Sequence, residues 1–254
     1  MSPIPTCKVL GTPLAVTDYT GAVAQAMEWA ATPAQSRMIA AANTHVTTLA
    51  RRDPGFREAL AKFDLVLPDG MPLVWVMNRR LETRLQDRVY GPTFMLRCME
   101  ATQGDGWRHM FVVGTEELLA ELHRKLLARF PGLRIAGSFS PPFREWSDDD
   151  DDQILSAIRN SGAQFVWIGL GCPKQEIWLA RVKHRLPPAV YAAVGAAFAF
   201  HAGRVRQAPP WLQRLGMEWL FRLCAEPRRL WRRYFVFNSL FLLYLLKDGI
   251  RRAD

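Results

Sequence analysis

Residues 165–178 read FVWIGLGCPKQEIW, and this stretch indicates how the chain folds. Residues 165–168 are apolar and suit a buried strand, and a loop with glycines at positions 169 and 171 follows them. A helix is expected to begin near Pro173, because proline suits the first turn of a helix. A buried strand that leads through a tight loop into a helix is typical of an α/β protein with a parallel sheet.

The same loop is a candidate anion site. Gly169 and Gly171 let a phosphate approach the backbone, and the N–H groups at the start of the following helix favour negative charge. Lys174 adds a positive charge, while Gln175 and Glu176 offer hydrogen bonds to a sugar or ribose. The loop matches neither the Walker motif nor GxGxxG, so a tight turn without a ligand is an equal alternative.

Strand patterns recur through the first 202 residues and alternate with helical periodicity. A helix is predicted over residues 115–129, with acidic residues in its first turn and basic residues late in it. Strands are predicted over residues 8–16, 38–42, 65–67, 109–113, 133–136, 165–169 and 190–194. The sequence therefore predicts an α/β domain with a largely parallel sheet.

Two polar side chains directly follow predicted strands. Asp69 lies in VLPDGMP, and Asn43 comes just after the strand at 38–42. Ligands of open α/β sheets bind at the carboxyl ends of the strands. Asp69 is therefore either a helix-cap or turn aspartate, or a general base that accepts the proton of an attacking hydroxyl. In the second case Asn43 would hold the substrate beside it, and position alone leaves both interpretations open.

Neither a metal site nor a targeting segment is predicted. The five histidines lack ligand spacing, and the four scattered cysteines indicate reduced thiols in the cytoplasm. The N-terminus lacks the pattern of a signal peptide. The acidic run 148–152 suits a solvated helix N-terminus better than a metal site, because the helix dipole favours negative charge there. We expect no metal and no cofactor.

Positive charge is concentrated near the C-terminus. From Gly203 onward the chain has eleven Lys and Arg against four Asp and Glu, whereas the whole chain has a net charge of +9. Strand patterns stop there, and residues 211–233 show helical spacing. A basic tail of this kind indicates an anionic partner, which can be lipid, a diphosphate or nucleic acid.

An apolar run lies within this tail. Residues 235–246 read FVFNSLFLLYLL, which is shorter than the ~20 residues that a transmembrane helix needs. Arginines precede the run, and Lys247, Arg251 and Arg252 follow it. We predict a helix that lies on an anionic membrane surface. A helix packed on the core, or a dimer interface, is the alternative.

Six segments together resemble the WecG/TagA/CpsF family of bacterial glycosyltransferases, in order from about residue 12 to residue 234. They are NTHVTTLARRDPGFREAL (43–60), LVLPDGMPLVW (65–75), RVYG (88–91), WIGLGCPKQEIWLA (167–180), AVGAAFAFHAGRVRQAPPWLQRLGMEWLFRL (193–223) and EPRRLWRRY (226–234). The resemblance implies a Rossmann-like domain, residues 1–202, with helices on both faces of its sheet. Residues 203–254 would form a helical appendage that docks on the membrane.

The resemblance also implies an activity. It is an inverting, metal-independent transfer from a UDP-sugar to a polyprenyl-diphosphate-linked saccharide, in the assembly of a bacterial surface polymer or exopolysaccharide. The enzyme would act as a peripheral protein at the cytoplasmic face of the inner membrane. The residues that match family site positions are the base Asp69, its neighbour Asn43, the pocket residues Arg88 and Gln175, and the appendage arginines Arg222, Arg229 and Arg232. Such guanidinium groups can pair with a diphosphate and stabilise the leaving UDP.

Three positions depart from the family pattern. This chain has Ala41, Ala199 and Pro92-Thr93 where many members have Thr, Asp and Ser-Asp. The segment RVYGPTFM is more similar to members that add glucose. The donor therefore stays open between glucose, N-acetylmannosamine and other sugars, and the acceptor sugar, the polymer and the oligomeric state are not predicted.

Two other classes of protein fit the sequence less well. A dinucleotide-dependent oxidoreductase would be expected to carry GxGxxG with an acidic residue ~20 positions later, and this sequence has no such motif. A nucleic-acid-binding module would use the basic tail, but the apolar run beside the arginines suits lipid better than a duplex groove.

Overall fold

The computed structural model describes residues 3–249, apart from the side chains of Pro210, Arg229 and Arg233. A small hairpin comes first, formed by β1 (Thr6–Val9) and β2 (Thr12–Ala15). Six further strands follow along the chain: β3 (Arg37–Ala42), β4 (Leu65–Pro68), β5 (Arg108–Val113), β6 (Arg134–Phe139), β7 (Phe165–Gly169) and β8 (Val190–Ala193). These six form one parallel sheet in the order β4-β3-β8-β7-β5-β6. The predicted α/β class with a parallel sheet is confirmed.

Helices cover the sheet and then continue alone to the C-terminal end of the described chain. Those of the first part are α1 (Tyr19–Ala31), α2 (Thr44–Arg52), α3 (Pro54–Ala61), α4 (Met71–Leu81), α5 (Gly91–Ala101), α6 (Glu116–Arg129), α7 (Asp148–Ser161), α8 (Lys174–Val182) and α9 (Ala197–His201). A 3₁₀ turn, Lys183–Arg185, follows α8. The last three helices are α10 (Pro210–Arg214), α11 (Glu218–Ala225) and α12 (Pro227–Asp248).

The sheet is buried on both faces, as its apolar strands predict. Side chains alternate between the two faces of a strand, and in β7 Val166 and Ile168 belong to one hydrophobic cluster while Phe165 and Trp167 belong to the other. All four are fully buried or nearly so. The helices on both faces of the sheet supply the rest of the two clusters.

The strand order creates a crevice at the carboxyl edge of the sheet. The neighbouring strands β3 and β8 lead into α2 and α9, whose buried side chains belong to opposite clusters. Two adjacent strands whose following helices diverge to opposite faces leave an opening above their ends. The loops that carry Asn43 and Gly195 therefore border a cavity.

The single strand predicted over residues 8–16 is wrong in one respect. The segment is an antiparallel hairpin, β1 and β2, and forms a sheet separate from the main one. Leu10 and Gly11 both have positive φ, of 51° and 85°, which is the backbone conformation of a tight two-residue hairpin turn. Only Gly11 marked this turn in the sequence.

The acidic run is a helix N-terminus, as predicted, but it is not solvated throughout, because Asp150 and Asp151 are buried. Ser147 caps α7 by accepting a hydrogen bond from the Asp150 backbone, and the Asp150 side chain accepts one in return from the Ser147 backbone. Asp150 also accepts two hydrogen bonds from Arg144, which hold the pKa of its carboxyl at about 2. Asp151 accepts from Trp178 and Arg181.

The C-terminal helix α12 has two different apolar faces. Its inner face packs on α2 and α11, with Leu230 and Phe241 buried. Its outer face leaves Leu242, Leu243 and Leu246 exposed, Leu246 by 80%. Packing on the core and an apolar outer surface, which the sequence presented as alternatives, therefore occur on the same helix. Arg251 and Arg252 lie outside the described residues, and within residues 3–249 no helix is long and apolar enough to cross a membrane.

Candidate active site

A large cavity opens at the carboxyl edge of the sheet. Its volume is about 860 Å³, toward the upper end of the ~300–1,000 Å³ usual for small-molecule sites. Residues that follow β3, β4, β7 and β8 line its base, and α4, α11 and α12 supply outer walls. The cavity therefore joins the sheet domain to the C-terminal helices.

Asp69 lies at the base of this cavity, directly after β4. Gly70 is the N-cap residue of α4 and no side chain caps that helix, so Asp69 is not the cap that its position made plausible. Its Oδ1 instead accepts a hydrogen bond of 3.2 Å from the backbone N–H of Gly91. Asp69 is partly exposed and lines the cavity, which leaves the residue accessible to a ligand there.

The environment of Asp69 favours its protonated form. The pKa of the Asp69 carboxyl is raised from 3.8 to about 7, chiefly because burial disfavours the charged form and, to a smaller extent, because of the negative charge of Glu218. The guanidinium groups of Arg88 and Arg222, together with the Gly91 N–H, lower the pKa but do not offset the burial. A carboxyl with a pKa near neutral pH can both take and release a proton, which is the property of a general base.

Arg88 connects the sheet domain to the C-terminal helices. Its Nη2 forms an ion pair with Glu218 Oε2 and donates to Gln213 Oε1 at 3.1 Å. Its Nη1 donates to the backbone oxygen of Asp69 at 3.4 Å. The guanidinium also lies over the ring of Tyr90, whose hydroxyl donates to Glu218 Oε1 at 2.7 Å. Arg88 thus lines the cavity as predicted, but the appendage already occupies much of its hydrogen-bonding capacity.

Asn43 has the helix-capping role that the sequence offered as one of two alternatives for Asp69. It is the N-cap residue of α2, and its Oδ1 accepts hydrogen bonds from the backbone N–H groups of His45 and Val46 at 3.1 and 3.3 Å. The residue also lines the cavity. Capping fixes the orientation of the Asn43 side chain beside Asp69. The capping role is therefore compatible with the predicted role of holding a substrate there.

The loop after β7 lines the cavity as predicted, but each glycine has its own structural reason. A Cβ at Gly169 would lie 2.3 Å from the ring of Phe198, whereas Gly171 has φ of +79° and open space around it. Gln175 is buried at the start of α8, and its Nε2 donates to Glu176 Oε1 at 2.9 Å. The Oε1 atom of Gln175 is buried at the cavity wall and has no hydrogen-bond partner among the described residues. It is thus available to a ligand donor.

The predicted basic residues divide into three cases. Arg222 lines the cavity near Asp69, and its guanidinium lies over the ring of Phe200. Lys174 and Arg232 are exposed and do not line the cavity. The ammonium of Lys174 lies 4.0 Å from the Trp146 ring centre instead, so this part of the predicted anion site is not assembled. The side chain of Arg229 lies outside the described structure.

The positions that depart from the family pattern mostly face the cavity. Ala41, Pro92 and Ala199 line it, and Thr93 does not. The Cβ of Ala41 lies 3.0 Å from the place that a Cβ on Gly91 would take, so this part of the wall is closely packed. These side chains carry no hydrogen-bonding group, which makes the corresponding wall apolar.

Three site residues were missed by sequence reasoning. Glu218, Gln213 and Tyr90 hold Arg88, yet none of them stands next to a strand end. Tyr90 is two residues after Arg88 in RVYG, and this proximity was the signal in the sequence that could have identified it as a site residue. Glu218 and Gln213 come from α11 and its preceding helix, more than a hundred residues later, and no periodicity links them to Arg88. Among the described residues, no group of three or more His, Cys, Asp or Glu could hold a metal ion.

The fold and this cavity define a Rossmann-like α/β protein with a ligand site at the carboxyl edge of its sheet. The sequence pattern described as "Glycosyl transferase WecG/TagA/CpsF family" matches residues 7–254. The chain therefore belongs to the WecG/TagA/CpsF family of glycosyl transferases.

Two relatives carry the same descriptive name, N-acetylglucosaminyldiphosphoundecaprenol N-acetyl-beta-D-mannosaminyltransferase. The one from Bacillus spizizenii is 29% identical over 195 residues, which cover 77% of this chain and 73% of the relative. The one from Bacillus subtilis is 26% identical over 196 residues, which cover 77% of this chain and 74% of the relative.

Proposed function

We propose that this protein is an inverting glycosyltransferase that moves a sugar from a UDP-sugar to a polyprenyl-diphosphate-linked saccharide. The observation that carries the mechanism is Asp69, a carboxyl with a pKa of about 7 at the base of a cavity that arginine side chains border. Membership in the family supports glycosyl transfer, and the relatives' names support a saccharide on a lipid diphosphate as the acceptor.

In the proposed reaction Asp69 accepts the proton of an acceptor hydroxyl. The hydroxyl oxygen forms a bond to the anomeric carbon of the donor sugar while the bond from that carbon to the β-phosphate oxygen of UDP breaks. Attack from the face opposite to the leaving group inverts the configuration at the anomeric carbon. Because the pKa of Asp69 is near 7, about half of the base is ready to accept a proton at neutral pH.

The leaving UDP gains negative charge, which the protein must stabilise. Arg222 lines the cavity near Asp69 and is proposed for this role, because the neighbouring Arg88 is held by Glu218. Arg229 is proposed for the same role on the family resemblance alone, whereas Arg232 is exposed and does not line the cavity. Gln175, with a buried unpartnered oxygen, is proposed to accept a hydrogen bond from the donor. Transfer is proposed to need no metal.

The donor sugar stays open between glucose, N-acetylmannosamine and other sugars. Both relatives are named for N-acetylmannosamine. The alanines at positions 41 and 199 remove polar groups from this cavity wall, and this supports a donor with fewer hydrogen-bonding demands at that point.

A peripheral position at the cytoplasmic membrane face is part of the proposal. The exposed outer face of α12 supports it, because apolar side chains beside basic residues bind anionic lipid surfaces. Substitution of Leu243 and Leu246 by Ser should weaken sedimentation with anionic vesicles, since both side chains are exposed. Unchanged sedimentation of the folded double variant would remove this face from membrane binding.

A donor panel tests the proposed reaction. The full-length protein is incubated with N-acetylglucosaminyl-diphosphoryl lipid and each of several UDP-sugars, and free UDP and the product disaccharide are measured. One donor is expected to give UDP release that depends on the acceptor, and the Asp69→Asn variant provides the control for the base. Absence of acceptor-dependent product with every donor would contradict the proposed function.

A further inference from the structure

The cavity extends well beyond the strand ends, along two helices. From α4 the lining residues are Met71, Pro72, Trp75, Val76 and Arg79, and from α12 they are Leu230, Tyr234, Asn238, Phe241, Leu242 and Leu245. Both sets recur at three- and four-residue spacing, so each forms one stripe along its helix. The α12 stripe runs from Leu230 to Leu245, fifteen residue steps apart, which is ~22 Å at the rise of an α-helix.

The two stripes belong to helices that are anchored separately. Helix α12 packs on α2 and α11, whereas α4 packs on β1 and β4. A cleft therefore separates α4 from α12, with the N-terminal turn of α2 in its wall. We call this cleft, lined by the two stripes above, the α4–α12 groove.

The walls of the α4–α12 groove are mostly apolar. Met71, Val76, Phe241 and Leu245 present aliphatic or aromatic surface, and the side-chain oxygen of Asn238 is paired with the Thr44 hydroxyl at 2.9 Å. Such a lining offers little to a nucleotide or a sugar, which need hydrogen bonds. It suits a hydrocarbon chain, because burial of apolar surface is favourable without directional contacts.

The two ends of the groove differ in chemistry. The inner end meets Asp69, Arg88 and Arg222, which carry the charges of the site. At the outer end Trp75 is 51% exposed and Leu242 is 60% exposed, and the charged side chain of Arg79, one turn beyond Trp75 on α4, is also exposed. A molecule with a charged diphosphate head and an apolar tail would fit this arrangement, with its head at the charged inner end and its tail along the apolar walls.

We propose that the α4–α12 groove binds the first isoprene units of the lipid-linked acceptor and thereby directs its diphosphate toward Asp69. The inference rests on the proposed function for the identity of the acceptor. It adds a binding site for the lipid chain inside the protein, distinct from attraction of the protein surface to a bilayer. The chain would leave the groove beside Leu242, next to the exposed outer face of α12.

The first test compares two acceptors that differ only in their lipid, without membranes or detergent. N-acetylglucosaminyl diphosphate carrying a farnesyl group is compared with the same compound carrying a methyl group, both below the concentration at which they aggregate. The ratio of kcat/KM for farnesyl over methyl acceptor should be at least ~10, which requires burial of only ~60 Å² of apolar surface. A ratio near one for the native protein would overturn the groove and leave the transferase proposal standing.

Adjacent residues of α12 provide matched variants. Leu242 lines the groove, whereas Leu243 is exposed and does not line it. Leu242→Asp should lower the farnesyl-to-methyl ratio at least fivefold, and Leu243→Asp should leave it within twofold of the native value. The ratio is taken within each protein, so effects on fold or turnover that are common to both acceptors cancel. An equal fall in both variants would indicate general surface attraction and would overturn the proposal.

A binding measurement separates this inference from the proposed function. Calorimetry with farnesyl diphosphate and with methyl diphosphate uses the full chain and needs no turnover. The native protein should bind farnesyl diphosphate at least tenfold more tightly, and Leu242→Asp, but not Leu243→Asp, should remove most of this preference. If this binding preference is found while no acceptor yields product, lipid binding in the groove is supported and the glycosyltransferase proposal fails. Equal affinity for the two diphosphates would overturn the groove.

Discussion

Replacement of Asp69 by Asn should make the protein more stable and much less active. The side chain keeps its shape and can still accept the hydrogen bond from the Gly91 N–H. It loses the ability to take a proton, so turnover should fall by roughly 10²–10⁴, which is the usual contribution of a positioned general base. Stability should rise because the native carboxylate is costly to bury.

The pH dependence of this gain follows from the pKa of Asp69. Folding raises the pKa from 3.8 to about 7, and at 1.36 kcal/mol for each pKa unit this rise corresponds to about 4 kcal/mol. The folded protein binds the proton more tightly than the unfolded chain. The favourable contribution is therefore complete below pH ~4 and is lost as the pH rises to about 7. At pH 8 the native protein bears the whole cost, whereas at pH 5 it bears only about 1.6 kcal/mol.

Urea denaturation of both proteins at pH 5 and pH 8 measures this difference. The stability advantage of Asp69→Asn should be about 2–3 kcal/mol larger at pH 8, and effects of Asn that do not depend on pH cancel. Asp149→Asn, at an exposed position in the first turn of α7, is the control. An advantage that is equal at both pH values would refute the buried, high-pKa carboxyl. A variant with more than half of the native kcat would remove Asp69 from the mechanism.

Three further predictions concern the charges, the packing and the metal independence of the site. Glu218→Gln should move the acidic limb of the kcat/KM profile below pH 7, because Asp69 loses a neighbouring negative charge. Tyr90→Phe removes only a hydrogen bond to Glu218 and should leave the limb in place, so an equal shift in both variants would assign the effect to loosened packing. Gly169→Ala should lower the free energy of unfolding by at least ~1–3 kcal/mol, since the new methyl group would overlap the Phe198 ring, and unchanged urea denaturation would show that the ring can move aside. Turnover should persist in EDTA, because arginine is proposed to stabilise the diphosphate; its loss in EDTA and recovery with Mg²⁺ or Mn²⁺ would contradict this.

Much of the fold could be predicted because it depends on local patterns. The strand at Phe165–Gly169 and the loop after it were evident from an apolar run followed by two glycines. The run 148–152 was recognisable as a helix start because the helix dipole favours acidic residues in the first turn. The turn at Leu10 and Gly11 was missed, because Leu is uncommon at positive φ.

The candidate site was predictable only where it follows the strand ends. Asp69 and Asn43 were found because parallel strands bring their carboxyl ends to one edge of the sheet. Which of the two side chains caps a helix was not predictable, since both precede helices and either residue type can cap. The position of the Lys174 ammonium was also not predictable, because it lies over the ring of Trp146, which is distant in sequence.

Sequence alone determined the class of the fold, the family and the concentration of positive charge near the C-terminus, because periodicity, motifs and composition are properties of the chain itself. Tertiary structure decided that Glu218 holds Arg88 and raises the pKa of Asp69, and that α12 turns one apolar face to the core and another outward. These features arise from residues more than a hundred positions apart. Their contacts depend on how whole helices pack against the sheet, and the spacing of residues along the chain carries no record of that packing.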